Sequence, residues 1–166
     1  MIKTTITTIL ILFCTFCYGQ ETKTFKKDNI SFEYPNHWIT RDFPGCYILV
    51  SEPPKGQMSV MTTFDVALEE GYESLKQYSK SYENKIKANE QFKDFKVKMK
   101  KEIDFKGIKA IEYNCTATVS YLPTEWKSVV FMKDGKIYKL STTSLIGQFY
   151  LQKETTEKIF ESFKIE

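Results

Sequence analysis

His37 is the only histidine among the 166 residues, so general-base chemistry by imidazole near neutral pH has one place to occur. A catalytic imidazole needs a nucleophile and an orienting acid beside it. His37 lies in Pro35-Asn36-His37-Trp38, a turn sequence, and no spacing in the chain supplies either companion. It reads as a surface or packing residue. Structural zinc takes four ligands of Cys or His type. Besides His37 the chain offers only Cys14, Cys17, Cys46 and Cys115, too scattered for such a set. Cys14-Thr15-Phe16-Cys17 has C-x-x-C spacing, but a redox motif of that form accompanies a βαβ pattern, and this one lies in an uncharged apolar run. The acid clusters are Glu69-Glu70 and Glu154, Glu157, Glu161. Hard cations take carboxylate oxygens, yet Lys153 and Lys158 interleave the second cluster, and both read as solvated helix ends or faces. No phosphate-cradling glycine loop and no G-x-S-x-G elbow occurs. The sequence therefore predicts no catalytic residue, no metal site and no cofactor, and a protein that is not an enzyme.

Residues 1–19 have the features of a secretory signal peptide. Lys3 supplies the positive start, Ile6 to Tyr18 is uncharged and apolar, and Cys17-Tyr18-Gly19 precedes a cut before Gln20. The stretch is shorter than the roughly 20 residues of a spanning helix. Phe13 and Phe16 precede the leader cysteines where a lipidation signal has a small residue. The expected mature chain, 20–166, is a single domain exported to the periplasm or beyond, without stable membrane insertion, and a monomer. Loss of the leader leaves two cysteines, Cys46 and Cys115, both in strand-like segments. In an oxidising compartment they can bridge or persist as two buried thiols; a bridge requires Cα atoms within about 7 Å.

A formal net charge of +3 gives no case for nucleic acid, whose partners carry strongly basic surfaces. One basic stripe stands out. Lys96, Lys98 and Lys100 alternate with Val97 and Met99. It suits an anionic partner, a membrane surface or a sulfated glycan, or serves as a solvated strand face that discourages edge pairing.

Aromatic residues make up 15% of the chain, enough to build a large core from strand and helix faces. Ile30 to Tyr34 alternates and Pro35 ends it; Cys46 to Val50 is a continuous apolar run; Pro53-Pro54-Lys55-Gly56 turns the chain into a partner strand from Met58 to Val66. Tyr72, Leu75, Tyr78, Tyr82 and Ile86 recur at helical spacing. Phe95, Val97, Met99, Ile103 and Phe105 share one strand parity, as do Ile111, Tyr113, Cys115, Ala117, Val119 and Tyr121. Lys106-Gly107 and Asp134-Gly135 are hairpin turns, the second joining Trp126–Met132 to Ile137–Thr143. Gln152 to Phe163 presents Ile159, Phe160 and Phe163 on one helical face. Few helices and many hairpins predict an α+β fold with an antiparallel sheet of six to seven strands covered by helices.

Phe32-Glu33-Tyr34-Pro35 followed by Trp38 resembles the opening of the PsbP-like families, which often start F-x-Y-P-x-x-W. Ser74 to Tyr78, Ile103 to Ala110 and Ile159 to Ile165 are similar to later family segments, in the same order along Phe25 to Ile165. The resemblance implies an α/β/α sandwich of the PsbP-like and Mog-type superfamily, as in small exported bacterial members, with a final strand after the last helix. It carries no family-wide catalytic motif. The expected function is that of a non-catalytic binding or accessory protein of the bacterial cell envelope, engaging a protein partner. The alternative is a carrier of a small molecule or lipid in an aromatic-lined cavity. Phe43, Ile146, Phe149 and Tyr150 lie in two segments, Asp42–Gly45 and Leu145–Tyr150, that join apolar groups to turn chemistry. They are either exposed anchors for a partner or plugs that close the ends of the core.

Overall fold

The computed structural model describes residues 21–27, 29–43, 46–51 and 62–166, by backbone alone at 42–43 and 46–50. The expected leader and the expected turn at 53–56 lie outside the described residues. Ten strands and two helices follow in order: β1 Thr22–Lys27, β2 Ile30–Pro35, β3 Ile39–Phe43, β4 Cys46–Ser51, β5 Thr63–Glu69, α1 Leu75–Ala88, β6 Phe92–Phe105, β7 Ile108–Val119, β8 Leu122–Lys133, β9 Lys136–Leu145, α2 Lys153–Ser162 and β10 Lys164–Ile165. A 3-10 turn, Phe149–Gln152, leads into α2. The main sheet has the order β3-β4-β5-β9-β8-β7-β6, and a second sheet has the order β1-β2-β10. Every pairing is antiparallel.

Three tight hairpins set the register of β6 to β9. Lys106-Gly107 and Asp134-Gly135 both have positive φ at each central residue, 58° and 80°, then 52° and 75°, the twist that two-residue hairpins require. Ser120-Tyr121 turns β7 into β8 with φ of 49° and 69° and no glycine. Because side chains alternate, both faces of the main sheet are apolar and both are covered. Tyr113, Cys115, Trp126, Val130 and Ile137 face α1, packing with Tyr78 and Tyr82. Phe64, Val66, Val129, Phe131, Tyr138 and Leu140 face the other way, against Ile159, Phe160 and Phe163 of the α2 segment and Ile30 and Phe32 of β2. Helix α1 starts cleanly: the Ser74 hydroxyl accepts from the Gln77 N–H at 3.2 Å, and the Gln77 side chain accepts from the Glu73 N–H at 2.7 Å.

The expected α+β fold with its antiparallel sheet is present, and three features correct the details. First, one face is covered by the three-stranded sheet as well as by a helix. β1, with one apolar residue, escapes pattern reading; Phe25 lies opposite Phe32 in register, with ring centroids 5.1 Å apart. Second, β3 runs through Asp42 and Phe43, and Phe43 pairs with Cys46, so Phe43 belongs to a strand end rather than a loop. Third, β6 does not keep one parity. Register shifts occur between Lys93 and Lys96 and between Val97 and Met99. Each inserts one residue and turns the following side chains to the opposite face. Phe92, Phe95 and Val97 therefore pack on the α1 side, while Ile103 and Phe105 pack on the α2 side. The same shifts break the basic stripe: Lys100 pairs with Glu83 of α1 at 3.0 Å and lies over the Tyr113 ring, whereas Lys96 and Lys98 line clefts on the other face.

Candidate functional site

Residues first considered for chemistry are placed in structural roles. His37 is exposed in the turn that the Trp38 N–H closes onto the Pro35 carbonyl at 2.9 Å. Glu69 accepts from the Tyr78 hydroxyl at 3.0 Å and pairs with Lys85 at 3.1 Å. Burial and the Glu69 charge together drive the Tyr78 phenol well above its ordinary pKa. Glu70 pairs with Lys136 at 3.1 Å, and Glu154 with Lys158 one helical turn on at 2.8 Å. Among the described residues no three His, Cys, Asp or Glu side chains converge to hold a metal.

Cys46 and Cys115 are not brought together. β4 and β7 have three strands between them, and at about 4.8 Å per strand their cysteines lie far beyond a disulfide's reach. Cys115 is a buried free thiol, and burial pushes it up to about 12.

Of the remaining candidates, Phe43 is put toward one end of the sandwich by the register of β3 to β9, whereas Ile146, Phe149 and Tyr150 lie at the other. Two loops meet there, the β7–β8 hairpin and the segment from β9 to α2. The Ile146 N–H donates to the Pro123 carbonyl at 2.9 Å and ties them. The Glu125 carboxylate accepts from the N–H groups of Gly147 at 2.9 Å and Phe149 at 3.4 Å, which fixes the second loop. So held, Ile146 is 49% exposed and Tyr150 71%. Phe149 is half-buried and lines a cleft with Phe160. For Phe43, only the backbone is described, at the end of β3.

Sequence reasoning missed the other half of this end. Tyr121, assigned to a core parity, is 90% exposed in its turn, and Leu122 and Leu151 are also exposed. Ser120-Tyr121 has no glycine to mark a turn, so in the sequence the parity of β7 runs on through it. Five of the six large exposed hydrophobic residues among those described thus sit on these two loops; the sixth is Ile39. Beside them the sheet face is not covered by α2. Two clefts of about 400 Å³ each open there, sharing Lys98, Thr116 and Glu125.

A seven-stranded antiparallel sheet with a helix on one face, and a helix plus a small sheet on the other, defines the class: an α+β sandwich with apolar residues exposed at one end. The chain belongs to the PsbP-like protein family, which matches residues 18–165. No curated protein sequence matches it. Among solved structures, cyanobacterial PsbP (CyanoP) from Synechocystis is similar with a TM-score of 0.67 at 14% identity, covering 92% of this chain and 97% of that one. The Ran-binding protein Mog1p of Saccharomyces cerevisiae has a TM-score of 0.62 at 8% identity, covering 89% and 96%. LpqN, described as involved in cell envelope biogenesis of Mycobacterium tuberculosis, has a TM-score of 0.58 at 13% identity, covering 89% and 87%. These likenesses establish the fold shared with PsbP and Mog-type proteins.

Proposed function

We propose that this protein is an exported, non-catalytic accessory protein of the bacterial cell envelope that binds a protein partner through the apolar end of its sandwich. The observation that carries this reading is the gathering of Tyr121, Leu122, Ile146, Tyr150 and Leu151 on two loops joined by one backbone hydrogen bond. Large apolar groups held in water at one end of a fold mark an interaction surface, and aromatic side chains are frequent binding anchors. The comparisons add two supports: Mog1p is a Ran-binding protein and LpqN is tied to envelope biogenesis. No helix among the described residues is long and apolar enough to cross a membrane.

The carrier reading draws less support. The aromatic surplus goes into ring-on-ring packing, as Phe32 against Phe25, Phe64 and Phe163 and Tyr82 against Tyr78 and Tyr113. The cleft beside Phe149 joins Phe149, Phe160 and Trp126 to Lys98, Glu125 and Lys127, a mixed lining with charges in it rather than the dry aromatic cavity of a lipid carrier. The test compares the wild type with an Ile146→Ala, Tyr150→Ala double variant in co-purification from envelope extract. The reading expects one partner recovered with the wild type and lost from the variant at an unchanged melting temperature. Equal recovery of every co-purifying protein by both forms contradicts it.

A further inference from the structure

We propose that the cleft between the edge of β10 and the β6–β7 hairpin is a binding site for a small aromatic carboxylic acid. The inference stands apart from the protein-binding reading, because the cleft lies beside the Lys106-Gly107 turn, at the end of the sandwich opposite the apolar loops. It holds about 220 Å³. Its floor is aromatic: Phe105 stacks on Phe131 with ring centroids 5.4 Å apart, and Phe163 meets Phe131 edge-on at 6.3 Å. The register shift between Val97 and Met99 brings Phe105 to this side of the sheet, while Phe95 and Val97 stay on the α1 side. Three lysines, Lys106, Lys133 and Lys164, share the lining. The two residues that complete it are Ile108 and Ile165, so no carboxylate lines the cleft.

Charge decides the sign of the occupant. The Lys106 ammonium lies 5.8 Å from the centroid of the Phe105 ring and donates to the carbonyls of Glu161 and of Phe163, the latter at 2.8 Å. Lys133 donates to the Ile165 carbonyl at 3.5 Å. Neutral carbonyls leave both charges in place. None of the three lysines is in an ion pair among the described residues. The nearby acids lie outside the lining. Asp104 alternates with Phe105 on β6, so it belongs to the opposite face, and it accepts from the Gly107 N–H at 2.8 Å. Asp134 is exposed in the β8–β9 turn. Glu166 pairs with Lys26 at 2.7 Å, and its N–H donates to the Asn29 carbonyl. Glu161 lines a separate cleft between α2 and β2. Lys106 registers the balance of these charges. Its pKa is lowered, first by burial and then by the Lys164 charge, which outweighs the opposing Glu161 charge. The potential in the cleft is therefore positive, and a bound anion relieves the repulsion between Lys106 and Lys164.

Floor and volume select among anions. Phosphate or sulfate meets the lysines but leaves the aromatic floor wet. A neutral hydrocarbon covers the floor but strips water from uncompensated ammonium groups. A molecule that joins an apolar ring to a carboxylate answers both. A cavity of about 150 Å³ accommodates benzene, so about 220 Å³ fits a ring with a short acidic arm. The half-buried Phe105 ring gives that ring a stacking or edge-on neighbour. The charged end is prepared as well. Two backbone carbonyls hold the Lys106 ammonium before a ligand arrives, which lowers the ordering cost of binding.

The test is an amide chemical-shift titration of the folded protein with hydrocinnamate, a phenyl ring on a short carboxylate arm. Hydrocinnamyl alcohol, the same body without the charge, and inorganic phosphate are the controls. The proposal expects hydrocinnamate to shift Phe105, Ile108, Lys133 and Ile165, and both controls to bind about tenfold more weakly or worse. A Lys133→Gln, Lys164→Gln variant should lose about tenfold in hydrocinnamate affinity at an unchanged melting temperature. Lys106 is left intact because it holds the end of α2. A Lys76→Gln, Lys80→Gln variant on exposed positions of α1 should bind as the wild type does. Alcohol binding as tight as that of the acid would reduce the site to apolar contact and overturn the proposal. Phosphate binding as tight as that of the acid, or equal losses in the two lysine variants, would show plain anion attraction and overturn it too. Should the Lys133→Gln, Lys164→Gln variant melt early, the comparison of acid with alcohol on the wild type decides alone. The Ile146→Ala, Tyr150→Ala variant should keep its hydrocinnamate affinity, so loss of a protein partner and loss of the acid are separate results.

Discussion

Asp65 is a side chain whose titration bears on stability below neutral pH. It stands half-buried on β5, opposite Leu49 on one side and Ser141 on the other. Burial raises its carboxyl to about 6, against the opposing effects of the Lys139 charge and the Ser141 hydroxyl. Between the ordinary value of 3.8 and about 6, the native state holds a proton that the unfolded chain has lost. Stability from this group is thus present below pH 4 and is lost as pH rises through 6. Asp65→Asn should stabilise the protein at pH 7.5 by about 1–2 kcal/mol, less than the about 3 kcal/mol of the full shift because the side chain keeps some solvent. Urea melts at pH 4.5 and 7.5 check this: the variant should gain at the higher pH and show a flatter profile. At the apolar end, exposure separates two neighbours. Phe149→Ala should cost about 1–2 kcal/mol, as a half-buried ring leaves a partial cavity, and Tyr150→Ala less than about 0.5 kcal/mol. Thermal melts of the two variants read the difference directly; equal losses would make Tyr150 a core plug. Cys115 shows where residue-level reading stops. Its parity announced a core position, but its distance from Cys46 depends on strand order, which no local pattern encodes.

At the scale of elements, what was legible had a repeating signal. The α1 face repeats at helical spacing from Tyr72 to Ile86, and the Lys106-Gly107 and Asp134-Gly135 turns carry the glycine that positive φ favours. Elements without such a signal were missed. β1 has one apolar residue, and β3 ends in a Pro-Gly turn sequence that masks its strand character. A one-residue insertion is invisible to parity, so β6 reads as continuous. The Ser120-Tyr121 turn is the most instructive case, because two ordinary residues hold left-handed backbone at the tip of a hairpin. Such positions carry a strain of about 1 kcal/mol or more each. Lys93 over the Tyr121 ring, 5.8 Å from its centroid, offsets part of one such cost, since an exposed cation–π contact is worth about 0.5–1 kcal/mol. A Ser120→Asn, Tyr121→Gly variant should therefore be more stable by about 1 kcal/mol. A rise in melting temperature checks this, and a fall would mean that the Tyr121 ring makes a stabilising contact beyond Lys93.

At the scale of the molecule, the two faces of the main sheet serve stability, and one end carries the exposed apolar residues proposed to meet a partner. α1 seals one face with tyrosines that bond inward: Tyr113 donates to Ser79 at 2.8 Å, and Trp126 donates to Tyr82 at 3.0 Å. α2 and β2 seal most of the other. The β7–β8 hairpin and the β9–α2 loop project beyond both cores, and their apolar residues remain in water. The fold class was readable because burial on two faces imposes alternation. The apolar end was readable only in part, since Ile146 and Tyr150 announce themselves by sitting in a loop, while Tyr121 and Leu122 join them only through the folded hairpin. The central claim is that this end meets a protein. It is tested most directly by placing a photo-crosslinking amino acid at position 150 or 121, and at Lys80 on α1 as a control, in the cells that express the protein. The account predicts one and the same covalent protein adduct from positions 150 and 121 and none from 80. Absence of any protein adduct at 150 and 121, or an identical set of adducts at all three positions, would contradict it.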